Sequence, residues 1–226
     1  MSTYEINSYE DIKDKLRVRL TDIKENKEKL ADLVYKAVGC GLALSVYIEV
    51  QGQDDEIGIA DLPAAIAAKF EDVDLAGVFE DALKASVSSE PPTLCAIQDI
   101  LFGSIAGYEP ADFLKGGPAP EDGMFVLSTS SRNLGAAALY YPGIKEKIGE
   151  LFGRDYYVLP SSVHEVLILP DNGVMLPNEL ALMVKEINAN EVGPQDRLCN
   201  RVFRFSTETQ ELTVAADPDR KREMVR

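Results

Sequence analysis

The sequence predicts an α+β protein in which mixed or antiparallel sheets have helices packed on one face, arranged as two closely associated halves. Three observations predict this class. Hydrophobic residues make up 46% and charged residues 27% of the 226 residues, which is a globular composition. Short runs rich in β-formers alternate with helical apolar patterns, and glycines and prolines separate them. A chain of this length can bury a core without disulfides or a structural metal.

The first half covers residues 1–106. Residues 42–50 are rich in β-formers, and 57–59 predict the returning strand of a hairpin. Residues 17–21 alternate like a strand, but the apolar spacing around them also fits a helix that Ser8 would cap. Helical patterns are predicted in order at 8–23, 25–36, 61–70, 74–87 and 94–101.

Residues 107–123 are the predicted boundary between the halves. This stretch holds four glycines and three prolines, at positions 107, 116, 117, 123 and 110, 118, 120. Such a composition does not sustain regular structure. We therefore expect an exposed linker or a long loop, and long loops are often functional.

The second half, residues 124–216, has the predicted order β-α-α-β-β-α-β-β. The segments are 124–128, 134–141, 144–152, 156–159, 163–169, 178–187, and the hairpin strands 201–205 and 211–214. Residues 217–226 mix basic and acidic residues without an apolar stripe, so we expect a frayed tail.

The net charge of −15 disfavours nucleic-acid binding through direct phosphate contacts, and the acidic surface favours a protein partner. No apolar run is long enough to span a membrane, and the N-terminus does not look like a signal peptide, so we expect a cytoplasmic protein without membrane contact. The sequence leaves the oligomeric state open.

Neither a metal nor a cofactor is predicted. The single histidine excludes metal centres built from several imidazoles. The three cysteines, Cys40, Cys95 and Cys199, are far apart and outside any CxxC spacing, so we interpret them as small buried hydrophobic residues.

The densest group of reactive side chains is Ser161-Ser162-Val163-His164-Glu165. On an extended segment, Ser162 and His164 would share one face and could act as nucleophile and general base. Glu165 would point to the other face, and no G-x-S-x-G elbow surrounds Ser162. The alternatives are a turn in which the hydroxyls satisfy the backbone while His164 binds a neighbouring loop, and a contact with a ligand or partner that includes Ser161 and Glu165.

A second group follows the strand at 124–128. Hydroxyl residues and then Arg132-Asn133-Leu134-Gly135 precede a predicted helix, and a helix N-terminus can hold an anion. Ser130, Arg132 and Asn133 are the candidate binding residues, and Arg132 would supply the positive charge. Helix capping by Ser131 or Asn133 explains the same residues without a ligand.

Two segments carry a resemblance to a known family. Residues 133–143, NLGAAALYYPG, and 156–170, YYVLPSSVHEVLILP, resemble the "NGAAxLLYPG" and "LYILPSSIHEVILVP" signatures of an uncharacterised bacterial domain-of-unknown-function family. The resemblance extends over about 124–215 and more loosely upstream. It implies a shared fold and a cytoplasmic bacterial origin, and no activity. Familiar members begin with an additional N-terminal region, so we expect a shortened member.

The function that these observations favour is a non-enzymatic protein-binding or regulatory module. It would act on a protein partner through the acidic surface, and a mobile-element or phage-related setting is one interpretation of its compact design. The alternative is a hydrolase with Ser162 as nucleophile, His164 as base and Arg132 as an oxyanion contact.

Overall fold

The structure, a computed structural model, describes residues 8–51, 57–71, 73–160 and 162–220. It divides the chain into two compact units, Met1–Pro91 and Pro92–Arg226. Each unit contains one antiparallel sheet together with helices, which confirms the α+β class. The division falls at Pro91 and not at 107–123, because residues 92–96 form a strand that pairs within the second unit.

The first unit has four strands, three α-helices and one 3-10 helix among its described residues. In chain order these are a 3-10 helix at Lys13–Lys15, β1 at Leu16–Asp22, α1 at Lys27–Leu30, β2 at Tyr35–Gly39, β3 at Leu42–Gln51, β4 at Ile57–Asp61, α2 at Ala64–Ala67 and α3 at Leu75–Ser89. The long strand β3 pairs with β1 on one side and with β2 and β4 on the other. The predicted β3–β4 hairpin is confirmed, and its turn lies outside the described residues.

The helix predicted at 8–23 is wrong, because β1 occupies Leu16–Asp22 within that range. Leu16, Val18 and Leu20 are all buried on one face of the sheet. On the other face Arg17 forms an ion pair with Glu49. This alternation with a period of two is the pattern of a β-strand, so the segment forms a strand although its apolar spacing also allows a helix. The helix predicted at 25–36 is likewise reduced to the single turn α1, followed by β2.

The second unit is built on a six-stranded sheet. Its elements are β5 at Pro92–Ala96, α4 at Ile97–Ala106, a 3-10 helix at Phe113–Lys115, β6 at Phe125–Thr129, a 3-10 helix at Gly135–Tyr140, α5 at Ile144–Phe152, β7 at Tyr156–Leu159, β8 at Val166–Pro170, α6 at Pro177–Asn190, β9 at Val202–Ser206 and β10 at Glu211–Ala216. The strand order is β10-β9-β7-β8-β6-β5, and every pair is antiparallel. The sequence does not predict strand β5, because three of its five residues fall in the helical pattern predicted at 94–101.

Helices cover both faces of this six-stranded sheet and not one face only. Tyr156 and Tyr157 are adjacent on β7, so their side chains point to opposite faces. Tyr157 belongs to the core cluster that α6 closes, while the ring of Tyr156 meets Phe152 of α5 at 6.2 Å.

The described part of the tail is held to the second unit. Asp219 accepts hydrogen bonds from Lys185 Nζ at 2.7 Å and from Asn200 Nδ2 at 2.8 Å. Residues 221–226, the rest of the predicted frayed tail, lie outside the described residues. Within the residues that the structure describes, no helix is both long and apolar enough to cross a membrane.

Candidate functional site

The segment that contains Ser162 and His164, called the serine–histidine segment below, connects β7 to β8. It contacts the loop before β9. The backbone N–H of Val163 donates to the carbonyl oxygen of Asp196 at 2.8 Å, and Ser162 forms an isolated β-bridge with Arg197. Ser161, one of the predicted binding residues, lies outside the described residues. The segment is therefore fixed by backbone contacts to a loop more than thirty residues away in the sequence.

Ser162 does not contact the imidazole of His164 through a hydrogen bond. Its Oγ accepts the backbone N–H of His164 at 2.9 Å, which is the local turn bond that serine hydroxyls commonly form. The ring nitrogens of His164 have other neighbours. Nδ1 accepts the backbone N–H of Leu134 at 3.2 Å, and Nε2 lies 3.4 Å from Asp196 Oδ1.

These contacts fix the tautomer of a neutral His164 ring. Since Nδ1 accepts a hydrogen bond, the ring proton of the neutral form is on Nε2, where it points at the Asp196 carboxylate. A histidine that is to activate a serine must present an unprotonated nitrogen to the hydroxyl. Nδ1 is the unprotonated nitrogen here, and it is occupied by Leu134. The arrangement therefore orients the ring and does not prepare a nucleophile.

The start of the 3-10 helix at Gly135–Tyr140 touches the same segment. Ser128 Oγ donates to the carbonyl oxygen of His164 at 2.8 Å, and Ala136 N–H donates to Val163 at 3.2 Å. A Cβ atom at Gly135 would lie 2.2 Å from Ser128 Oγ and 2.8 Å from the His164 carbonyl oxygen. Only glycine fits this approach.

The second group of candidates forms an exposed turn after β6. Ser130, Arg132 and Asn133 are exposed, and Asn133 N–H donates to Ser131 Oγ at 3.2 Å, the serine that the capping alternative named. Two of the backbone N–H groups at the helix start, those of Leu134 and Ala136, are donated to His164 and Val163. The structure thus shows the candidates together on one turn, with these two helical donors already used.

Two non-glycine residues in this turn have a left-handed backbone, Arg132 at φ 56° and Leu134 at φ 53°. Such conformations are costly for branched or bulky side chains, so surrounding contacts must hold them in place. The bond from Leu134 N–H to His164 Nδ1 is one such contact. Glu165, the remaining candidate, is half-buried, and its carboxylate forms no ion pair or hydrogen bond within the described part of the chain.

Of the three cysteines only Cys95 is buried, whereas Cys40 and Cys199 are half-buried, so the interpretation as buried hydrophobic residues is wrong for those two. Burial, followed by the neighbouring Asp112 carboxylate, raises the pKa of the Cys95 thiol, which keeps it protonated. In the described part of the chain the three cysteines form no disulfide. The same residues contain no group of three or more His, Cys, Asp or Glu side chains arranged to hold a metal ion.

An exposed apolar face on α4 was missed by the sequence reasoning. Leu101, Phe102 and Ile105 are 60%, 63% and 85% exposed, and Tyr108 just after the helix is 47% exposed. The sequence predicts a helical pattern at 94–101 without indicating which side is exposed, and of the ten residues of α4 only Gly103 is buried. The sequence could have indicated this exposure, because large apolar residues lie all around this short helix and packing against one sheet cannot cover them all.

The chain after α4 folds back onto the helix. Gly107 ends α4 in a left-handed conformation at φ 74°, and a Cβ atom on Gly103 would lie 2.7 Å from the carbonyl oxygen of Tyr108. The turn therefore holds Tyr108 beside the last helical turn. We call the four exposed side chains Leu101, Phe102, Ile105 and Tyr108 the α4 face.

The fold and the site define an α+β protein of two antiparallel sheets whose serine–histidine segment is hydrogen-bonded into the structure. A family model described as "Family of unknown function (DUF5688)" matches residues 1–207, and the chain belongs to this family. This confirms the resemblance to an uncharacterised domain-of-unknown-function family. No curated protein and no solved structure gives a significant match.

Proposed function

We propose that this chain is a non-enzymatic protein-binding module and that the α4 face is its docking surface. The observation that carries the proposal is the exposure of four large apolar side chains within eight consecutive residues. A concentrated exposed apolar patch is typical of interaction sites, whereas apolar residues scattered singly over a surface are ordinary. Leu101 and Ile105 are four residues apart, so they lie on the same side of the helix.

The partner that fits the α4 face is a protein with an apolar groove bordered by lysines or arginines. An amphipathic helix binds such a groove by inserting residues at i and i+4 spacing. Residues 97–111 contain Asp99 and Glu109 and no basic residue, and the whole chain carries a net charge of −15. Opposite charge around the groove would steer the encounter and make binding weaker at high salt.

The geometry at Ser162 supports this proposal over the hydrolase alternative. Ser162 Oγ accepts a backbone N–H, and the unprotonated nitrogen of the neutral His164 ring is occupied by Leu134. We therefore assign both residues to the fold and place binding at α4. The identity of the partner would also decide whether the module is regulatory and serves a mobile element or phage.

The test compares three versions of the full-length chain. Ile105→Asp places a charge in the centre of the α4 face, and Leu182→Asp makes the same change at a 62%-exposed position on α6. Each version is used for affinity capture from a bacterial lysate. We expect one protein to be captured by the wild type and by Leu182→Asp but not by Ile105→Asp. That protein is then identified, purified and titrated with all three versions at low and high salt.

The expected dissociation constant is at least about tenfold higher for Ile105→Asp, since the charge of the aspartate would have to be buried in the groove. Binding of the wild type should be weaker at high salt, because salt screens the opposite charges around the groove. Circular dichroism of the variants verifies that they remain folded. Equal affinity for Ile105→Asp and wild type would overturn the proposal. A lower solution mass for Ile105→Asp than for wild type would also overturn it, because the α4 face would then bind a second copy of this chain.

A further inference from the structure

We propose that a cavity in the first unit binds an apolar monocarboxylic acid. The cavity lies between the 3-10 helix at Lys13–Lys15, the paired strands β3 and β4, and the segment that follows α2. Its volume is about 570 Å³. Small-molecule sites in proteins span about 300–1,000 Å³, so the cavity is large enough for a small ligand.

The floor of the cavity is apolar. Ile12, Ile48 and Leu62 line it and are themselves almost fully buried, at 4%, 5% and 0% exposure. Ile66 and Phe70 form the wall beside α2. Side chains that are packed from behind keep their positions when the cavity is empty, so an apolar ligand body would find a surface that is already formed.

The wall at Phe70 is fixed by a second layer of contacts. The ring of Tyr9 lies 5.2 Å from the ring of Phe70, and the Tyr9 hydroxyl donates to Asp81 Oδ2 at 2.9 Å. Asp81 belongs to α3, which packs on the sheet. The wall is therefore anchored to the main helix of this unit.

The carboxylates of β3 and β4 at the cavity are already neutralised. Arg17 lies 2.8 Å from Glu49, while Asp61 is paired with both Arg19 and Lys29. These pairs leave little net negative charge to repel an anion. They would also leave a cationic ligand without an available counter-ion on the two strands.

Lys69 is the residue that we assign to the ligand carboxylate. It lines the cavity and is exposed, and its ammonium group makes no ion pair or hydrogen bond among the residues that the structure describes. An ammonium with three unused donors is a suitable partner for a carboxylate.

The charged residues that line the cavity are Lys15 and Lys69 against Asp11, Glu49 and Asp61. Two of these three carboxylates, Glu49 and Asp61, are paired with cations that lie outside the lining. Paired carboxylates, and a Lys69 that is unpaired among the described residues, beside an apolar floor favour a ligand with an apolar body and a single anionic head.

The test is calorimetric titration of the full-length protein with decanoate and with decyltrimethylammonium, which share an alkyl chain and differ in head-group charge. Lys69→Gln removes the charge that we assign to the carboxylate, and Lys24→Gln is the control at a lysine whose side chain is 75% exposed and outside the cavity. We expect decanoate to bind the wild type and Lys24→Gln equally. We expect binding to Lys69→Gln to be about tenfold weaker, which corresponds to about 1.4 kcal/mol.

A second variant tests the apolar wall. Ile66 is 37% exposed, so Ile66→Asp should fold, and we expect it to lose decanoate binding because the charge would face the alkyl chain. Absence of decanoate binding at millimolar concentration would overturn the proposal. Equal affinity for the two head groups, an unchanged affinity in Lys69→Gln, or normal binding by folded Ile66→Asp would overturn it as well.

Discussion

Ser128 donates a hydrogen bond from its Oγ to the carbonyl oxygen of His164, over 2.8 Å, and so joins the end of β6 to the β7–β8 connection. His164 also binds Leu134 through Nδ1 and faces Asp196 through Nε2. One residue thus holds together three segments that are distant in the sequence. The segment that carries the family resemblance is therefore a structural junction, and His164 lies at its centre.

Gly135→Ala should be strongly destabilising. The added Cβ would lie 2.2 Å from Ser128 Oγ and 2.6 Å from the backbone nitrogen of Thr129, so backbone must move. Overpacking of this kind costs about 1–3 kcal/mol, and loss of the Ser128 bond adds to it. The measurement is urea unfolding. Gly193→Ala is the control, since its Cβ would first meet the flexible end of Gln195. Equal stability of the two variants would show that this close approach is unimportant.

Ser162→Ala and His164→Ala should lower stability without removing an activity. Each loses a hydrogen bond to backbone, Ser162 to the His164 N–H and His164 to the Leu134 N–H. The expected loss is about 1–2 kcal/mol for each variant. The measurement pairs urea unfolding with hydrolysis of p-nitrophenyl esters, which should match the buffer rate for wild type and variants. Hydrolysis by the wild type that both variants lose would instead establish the hydrolase alternative.

Ser86→Ala should destabilise the first unit, whereas Ser89→Ala should not. Both hydroxyls donate to a carbonyl four residues earlier in α3, but only Ser86 is buried and also accepts the backbone N–H of Val18 at 2.9 Å. Its removal leaves a buried N–H of β1 without a partner, which costs about 1–3 kcal/mol. The difference in unfolding free energy between the two variants isolates this contact. A difference close to zero would mean that water replaces the hydroxyl.

Asp155→Asn should lower the free energy of unfolding at neutral pH. It should also make this free energy less dependent on pH in acid. Hydrogen bonds from the Thr207 backbone N–H at 2.9 Å and from its hydroxyl at 2.7 Å lower the pKa of Asp155 below the ordinary 3.8, and Arg204 contributes in the same direction. A lowered folded pKa gives stability that is present above 3.8 and is lost as the pH falls through the folded value.

The measurement is urea unfolding of wild type and Asp155→Asn from pH 7 to pH 3. At pH 7 the variant should be less stable by about 1–2 kcal/mol, and the gap should close as the pH falls below 3.8. Glu208→Gln, at an exposed position in the β9–β10 turn, is the control and should leave the pH profile unchanged. A gap that stays constant with pH would show that the Asp155 charge does not stabilise the fold.

The elements from β6 to β10 could be predicted from the sequence because turn residues separate each of them. The region around β1 could not, since its apolar residues fit both a period of two and a helical spacing, and only pairing with β3 selects the strand. Strand β5 is a short apolar run next to a helix, and its pairing with β6 is what makes it a strand. Local sequence patterns therefore predict helices and strands reliably where turn residues separate them. They are ambiguous where pairing with a distant strand determines whether a segment is a strand or a helix.

The candidate site was predicted in part. The sequence showed that Ser162 and His164 are neighbours, because they are two residues apart. The direction of the His164 ring depends on Leu134 and Asp196, which are about thirty residues away on either side, and no local pattern indicates those contacts. The turn alternative, in which His164 binds a neighbouring loop, describes the observed geometry.

The most direct test of the central claim is the dissociation constant of the captured partner for wild type and for Ile105→Asp. If the α4 face is the docking surface, the constant rises at least about tenfold in Ile105→Asp and stays within twofold of wild type in Leu182→Asp. Constants that agree for wild type and Ile105→Asp would contradict the claim and place the interaction elsewhere on the chain.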